Sequence, residues 1–108
     1  MTKITYTPEF KKEFKRLSKK FKSLNQEIQD LISELDKNPE MGKSLGKNIY
    51  KIRLSVKSKG KGKSGGMRII TYFYFKDDEL YLLHLYDKSE LDSISIKEIQ
   101  SIINSIIE

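Results

Sequence analysis

Between Glu40 and Asp77 the chain carries Lys43, Lys47, Lys51, Arg53, Lys57, Lys59, Lys61, Lys63, Arg68 and Lys76 and no acid, which leaves the rest of the molecule net acidic. A basic segment on an acidic body is the electrostatic footprint of a polyanion partner, a phosphate backbone above all. Within it, "KSKGKGKSGGMRIITYF" passes from alternating lysine and glycine into an apolar run, with Arg68 at the junction. Side chains of these types suit one reaction of RNA, in which a ribose 2′-OH attacks its own phosphate and cations stabilise the charge building on the phosphorane. Arginine forks and lysine point charges fill that role, and Tyr86 or His84 could carry protons. DNA lacks the attacking hydroxyl. The chain has no cysteine and a single histidine, His84, which could supply at most one metal ligand, so neither a metal nor another cofactor is expected. The string "GKGKSGG" has the wrong spacing for a phosphate loop and precedes a strand rather than a helix.

Each of these residues also has a plainer reading. The lysine run could be a solvated hairpin kept soluble by its charge. Arg68 could pair with Asp87 or Glu90, and Lys88 could be an exposed lysine at a strand end. His84 among leucines could be a packed, hydrogen-bonded residue, and Tyr86 could pack rather than stack on a base.

The elements that must position these residues are legible from periodicity. "KITY" alternates like a short strand, and Thr7 followed by Pro8 is a helix start, with threonine as N-cap and proline at the first position. Phe10, Phe14, Leu17, Phe21, Leu24, Ile28, Leu31 and Leu35 then follow at spacings of three and four, one apolar stripe along a helical face. Ser23 with Gln26 is a weak capping box that divides this stretch into two helices, about 8 to 21 and 24 to 37, ended by Pro39 and Gly42. Residues 49 to 58 alternate Tyr50, Ile52, Leu54 and Val56 with Lys51, Arg53, Ser55 and Lys57, as a half-buried strand does. "GGMRIITYFYF" and "ELYLLHLYDK" are β-branched and aromatic runs joined by a tight turn at Asp77 and Asp78. Ser95 with Glu98 caps a last helix bearing Ile96, Ile99, Ile102, Ile103, Ile106 and Ile107.

The order β-αα-βββ-α predicts an α+β fold, with a small antiparallel-rich sheet, an N-terminal helical hairpin and a C-terminal helix. The helices are expected on one sheet face, the other being partly open. At 108 residues the chain is read as a single domain, 1–108, that buries roughly two thirds of its unfolded surface. There is no apolar run of membrane-spanning length and no apolar signal core, so a cytoplasmic location without membrane contact is expected. Strand parity places Ile69, Phe73, Phe75, Leu83 and Leu85 in the core. It puts Arg53, Arg68, Tyr72, Leu82, His84, Tyr86 and Lys88 on the open face, beneath the loop carrying Lys57, Lys59, Lys61 and Lys63. Strand lysine Lys51 and the loop lysines are read as RNA-attracting charges, with Lys59 and Lys61 interchangeable.

The segments "YKIRLSVKSKGKGKSGGMRIITYF" and "LYDKSELDSIS", in this order of elements, resemble the RelE/ParE superfamily of bacterial toxins, closest to its HigB-like branch. The likeness covers nearly the whole chain, and "GKSGGMRII" followed by an aromatic-x-Lys-x-Glu element carries most of it. It implies the toxin of a toxin–antitoxin module, a small ribonuclease that cuts messenger RNA on the ribosome and is held inactive by a cognate antitoxin. The family's strand arginine falls on Arg68, the basic residues at its loop root on Arg53, Lys57 and Lys63, and its late basic residue on Lys88. The same fold serves gyrase poisons of the ParE type that cleave no RNA. That reading, and a noncatalytic nucleic-acid-binding domain, stand as alternatives.

Overall fold

A computed structural model of the chain describes residues 2–60 and 66–107. The described residues form three helices and a five-stranded sheet: β1 (Lys3–Tyr6), α1 (Pro8–Lys20), α2 (Leu24–Lys37), β2 (Lys43–Gly46), β3 (Ile49–Leu54), β4 (Met67–Tyr74), β5 (Glu79–Asp87) and α3 (Ile96–Ile107). The strand order is β1-β5-β4-β3-β2, parallel between β1 and β5 and antiparallel elsewhere, so the α+β sheet is mixed but antiparallel-rich.

Both hairpin helices lie within a residue of their predicted bounds. Pro8 opens α1, and the Thr7 hydroxyl accepts from the Phe10 N–H at 3.1 Å. Ser23 does not cap α2 through its side chain. Its hydroxyl instead bonds Glu27 and Ser58, tying α2 to the chain beyond β3. At α3 the Ser95 hydroxyl does accept from the Glu98 N–H, at 3.1 Å.

Strand β2 is the element that periodicity did not announce. It exists because Lys47 and Asn48 both take positive φ (53° and 66°) and fold the chain back onto β3. Gly42, at φ +102°, lies where a Cβ would stand 2.7 Å from the Lys51 carbonyl oxygen, so a side chain there would block the approach. Strand β3 ends at Leu54, short of the expected Ser58, and a 3₁₀ turn follows at Lys57–Lys59.

The helices do not share a face. Phe10 and Leu17 of α1 and Leu24, Ile28, Leu31 and Leu35 of α2 pack against Ile52, Met67, Ile69, Leu80, Leu82 and Leu85. On the other face Ile99 and Ile103 of α3 pack against Ile49, Ile70, Leu83 and Tyr86. The face expected to be partly open is therefore roofed by α3 over its apolar part. Ile96, the first of the predicted stripe, is 53% exposed.

A bulge corrects the parity of β5. Ile70 pairs with His84 and Thr71 with Leu82, which leaves Leu83 as an extra residue. Leu82 accordingly faces the helical hairpin and Leu83 faces α3, the reverse of the simple alternation, while Leu85 and Tyr86 keep their predicted sides. Phe75 is exposed because β4 stops at Tyr74 and a 3₁₀ turn begins there.

Thr7 supports the bulge. It is buried, its N–H donates to the Leu82 carbonyl at 3.2 Å, and its hydroxyl lies 3.0 and 2.8 Å from the Leu82 and Leu83 carbonyls. Replacing it by alanine removes a helix cap and strands a buried carbonyl. Thr7→Ala is expected to cost about 2 kcal/mol in urea unfolding, with Thr7→Ser recovering most of it.

Candidate functional site

The predicted basic residues do gather, and strand register shows how. Arg53 of β3 stands directly opposite Arg68 of β4, and Arg68 opposite Tyr86 of β5. One step along, Lys51 lies opposite Ile70 and, on its other side, opposite Lys43 of β2. Like charges directly across a strand pair repel, and an anion entering between them relieves that repulsion. Lys51 reports the resulting field. Burial lowers its ammonium pKa first, and the charges of Lys43, Arg53, Arg68 and Lys88 lower it further. A hollow of about 300 Å³ beside this cluster is lined by Lys43, Lys51, Arg53, Met41, Gly42 and Ile52. The sequence shows Lys43 only as one charge of the basic segment, and β2 is what brings it beside Lys51.

The cluster's members differ in access. Arg53 is exposed and Lys51 half-buried, whereas Arg68 is 4% exposed, with Nη1 donating to the Met67 carbonyl at 3.1 Å. Lys88 follows β5, its N–H donates to the Gly66 carbonyl at 3.2 Å, and its ammonium stands 3.3 Å from the exposed Asp92 carboxylate. Such an exposed pair contributes little. The two acids read above as alternative partners of Arg68 have strong partners elsewhere. Glu90 takes two hydrogen bonds from Arg16, at 2.7 and 3.0 Å, and Asp87 is held by Lys59 at 2.6 Å.

The two candidate proton carriers are neutral at pH 7. Tyr86 is buried against α3, and burial raises its phenol pKa although Arg68 pulls it down. It can donate a proton or hydrogen bond but is a poor base. His84 lies 6.0 Å from the Tyr86 ring at an interplanar angle of 30°. Burial lowers its pKa, against the opposing pull of Glu13, Glu9 and Glu98. Its Nδ1 is buried with no hydrogen-bond partner among the described residues. His84 thus feels carboxylates of α1 and α3, and in the sheet Ile70 stands between it and Lys51.

The loop lysines prove unlike one another. Lys57 is exposed, and its backbone N–H donates to Glu27 Oε2 at 2.8 Å. Lys59 is not an interchangeable loop charge. Its side chain is 6% exposed, ion-paired with Asp87, and its ammonium stands 5.0 Å above the Phe21 ring. One turn of 3₁₀ helix, whose Ser58 N–H is fixed by the Ser23 hydroxyl at 3.0 Å, turns Lys59 inward. Lys61 and Lys63 lie outside the described residues.

Removing one partner of a buried ion pair leaves the other uncompensated. Lys59→Ala is therefore expected to cost about 3–5 kcal/mol in urea unfolding, whereas Lys57→Ala should stay within about 0.5 kcal/mol of the parent. The pair also sets an acid limit. Burial pushes the Asp87 carboxyl up, but hydrogen bonds from Lys59 and Ser89 outweigh it and hold the pKa below the usual range. A depressed carboxyl adds stability that is complete above its unfolded value of about 3.9 and is lost as pH falls through the folded value. Urea unfolding at a series of acidic pH values should show that loss in the parent, and a shallower decline in Asp87→Asn.

Comparison with known proteins agrees with this architecture. Three solved structures of about the same length share the fold. An arginine-substituted double mutant of Escherichia coli toxin RelE in the free state is similar with a TM-score of 0.65 and 15% identity, over 99% of this chain and 98% of that one. Isolated E. coli RelE in a P21 crystal form gives 0.63 at 14% identity, over 96% and 98% of the two chains. The intact E. coli RelBE toxin–antitoxin complex gives 0.62 at 16% identity, over 81% and 96%. Among the described residues no helix is long and apolar enough to cross a membrane. Residues 9–105 match the model of the RelE toxin of the RelE/RelB toxin–antitoxin system, and the chain belongs to that family.

Proposed function

We propose that this toxin is a metal-independent endoribonuclease, of the HigB-like branch of its family, that cuts messenger RNA on the ribosome and is neutralised by a cognate antitoxin. The observation that carries the reading is the Arg53–Arg68 pair, opposed in register and flanked by Lys43, Lys51 and Lys88. A phosphate entering this cluster would relieve the repulsion among its cations. The 2′-OH attacks the adjacent phosphorus as water takes its proton, the bond to the 5′ oxygen breaks as that oxygen gains a proton, and the products are a 2′,3′-cyclic phosphate and a 5′-OH. The cations would stabilise the dianionic phosphorane, and Tyr86, across the strand from Arg68 and 3% exposed, would donate to the leaving oxygen once the face opens and regain its proton from water.

Two features favour a ribosome-held substrate. Neither His84 nor Tyr86 is a strong base at neutral pH, so the rate depends on in-line geometry, which can supply roughly 7 to 11 kcal/mol in the best intramolecular cases. Arg68 is also nearly buried, so phosphate reaches it only when neighbouring groups move aside. Flexible free RNA provides neither the geometry nor the work of opening, whereas a message bent and held in the decoding centre could provide both. The antitoxin is read as an acidic segment covering the cationic face or adding a strand to β2, which is outermost in the sheet. Such a module would act in the cytoplasm.

The test is a pair of time courses on one transcript, with and without programmed ribosomes, in excess chelator. Rapid cutting is expected only on the ribosome, with the chelator having no effect. Arg68→Ala and Lys88→Ala should each lower the rate by about 10²–10³-fold while remaining folded. Equal rates on free and ribosome-bound message would refute ribosome dependence. Loss of cutting in chelator would overturn the metal-free route, and gyrase inhibition without RNA cleavage would replace the reading.

A further inference from the structure

Lys59 belongs to the basic segment in sequence and to the protein interior in structure. Asp87 Oδ1 accepts from Lys59 Nζ at 2.6 Å and from the N–H and hydroxyl of Ser89 at 3.0 and 2.8 Å, while Lys59 also reaches the Ser89 hydroxyl at 3.3 Å. A buried ion pair of this kind is often no more stabilising than a well-packed apolar pair, so stability alone gives little reason for it. Its location suggests a different use. Lys59 ends the 3₁₀ turn that precedes residues 60–66, and Asp87 stands in register with Met67, which follows them. Met67 is one residue from Arg68 and Asp87 one residue from Lys88. The turn is anchored from its other side by Glu27 and Ser23, so the clamp joins α2, the entry to the basic segment and the ends of β4 and β5 at one point.

The geometry points to Lys59 and Asp87 as positioning residues for the reaction. Lys59 does not contact RNA; with Asp87 it holds Arg68 and Lys88 at a fixed separation and fixes where the basic segment leaves the sheet. This inference rests on the nuclease reading above. It predicts that the pair acts on the chemical step and not on the attraction of RNA.

The decisive variant is the double substitution Lys59→Met/Asp87→Asn, which removes both charges at similar volume, keeps an oxygen to accept from Ser89 and so leaves no charge buried and unpaired. Its thermal midpoint should lie near that of the parent. On ribosome-bound message its kcat should fall about 10- to 100-fold, as for a small misplacement of catalytic groups, with KM within about twofold of the parent. Lys57→Ala should show the opposite split, a raised KM and a salt slope reduced by about one. Hydrogen exchange of the Lys88 N–H, which reads the junction directly, should be at least about tenfold faster in the double variant under native conditions.

A folded double variant that cuts at the parent rate overturns the clamp and leaves the nuclease reading standing. A Lys59→Met variant with a raised KM, a reduced salt slope and an unchanged kcat would make Lys59 an RNA ligand and overturn it as well. If the parent itself leaves ribosome-bound message intact, the nuclease reading fails. Exchange at Lys88 then decides the clamp: faster exchange supports a device holding the loop root, and unchanged exchange overturns it.

Discussion

One extra residue in β5 determines which way every later side chain of that strand points. Up to Leu82 the strand alternates with Leu80 and Leu82 toward the helical hairpin. Without the bulge at Leu83, His84 and Tyr86 would follow them into that core, and Leu85 would face α3. The bulge resets the alternation, so a leucine-rich strand serves two hydrophobic cores in succession and delivers Tyr86 beside Arg68. A bulge leaves backbone groups without ladder partners, and the buried Thr7 hydroxyl lies within bonding distance of the carbonyls there. The start of α1 and the placing of the site are thus fixed by the same side chain.

The α3-facing side of the sheet is divided by chemistry. Ile70, Tyr72, Tyr81, Leu83 and Tyr86 form an apolar half on which α3 settles. Lys43, Lys51, Arg53, Arg68 and Lys88 form a cationic part whose mutual repulsion the fold tolerates. The nuclease reading proposed above gives that cluster a use, since clustered charges are expected where a polyanion is handled. Of the nearby acids, Asp92 pairs with a member of the cluster, Lys88, and does so in an exposed position. Glu90 is occupied by Arg16 and Asp87 by Lys59, so the carboxylates nearest in sequence to Lys88 have partners of their own.

Much of this was legible in the sequence, for identifiable reasons. Thr7–Pro8 marks the start of α1 because capping and a fixed φ are local effects, and the three-and-four spacing of Phe10 to Leu35 reports a buried helical face directly. The alternation in β3 put Lys51 and Arg53 on the correct face. Three features were not legible because they depend on partners far away in the chain. "KSLG" becomes a strand only because Gly42 admits β3 and the Lys47–Asn48 turn closes, and four residues hold too little pattern to show it. The isoleucine stripe of α3 shows that one side is buried but not which sheet face receives it. Lys59 is indistinguishable from Lys57 and Lys61 as a letter in a lysine–glycine run, and only the 3₁₀ turn and Asp87 separate it from them.

The parallel pairing of β1 with β5 joins the first strand to the last, since Lys3 through Tyr6 run beside Glu79 through Leu82. A contact between segments so distant in sequence closes the largest loop in the fold, and such closures come late and slowly in folding. During synthesis α1 emerges long before the Leu82 and Leu83 carbonyls that will hold its capping threonine. Arg68, too, is made before Tyr86, its neighbour in β5. The cationic face therefore cannot be assembled on a partly made chain. On the nuclease reading proposed above, the polypeptide would thus stay harmless to the ribosome making it until the last strand has been translated.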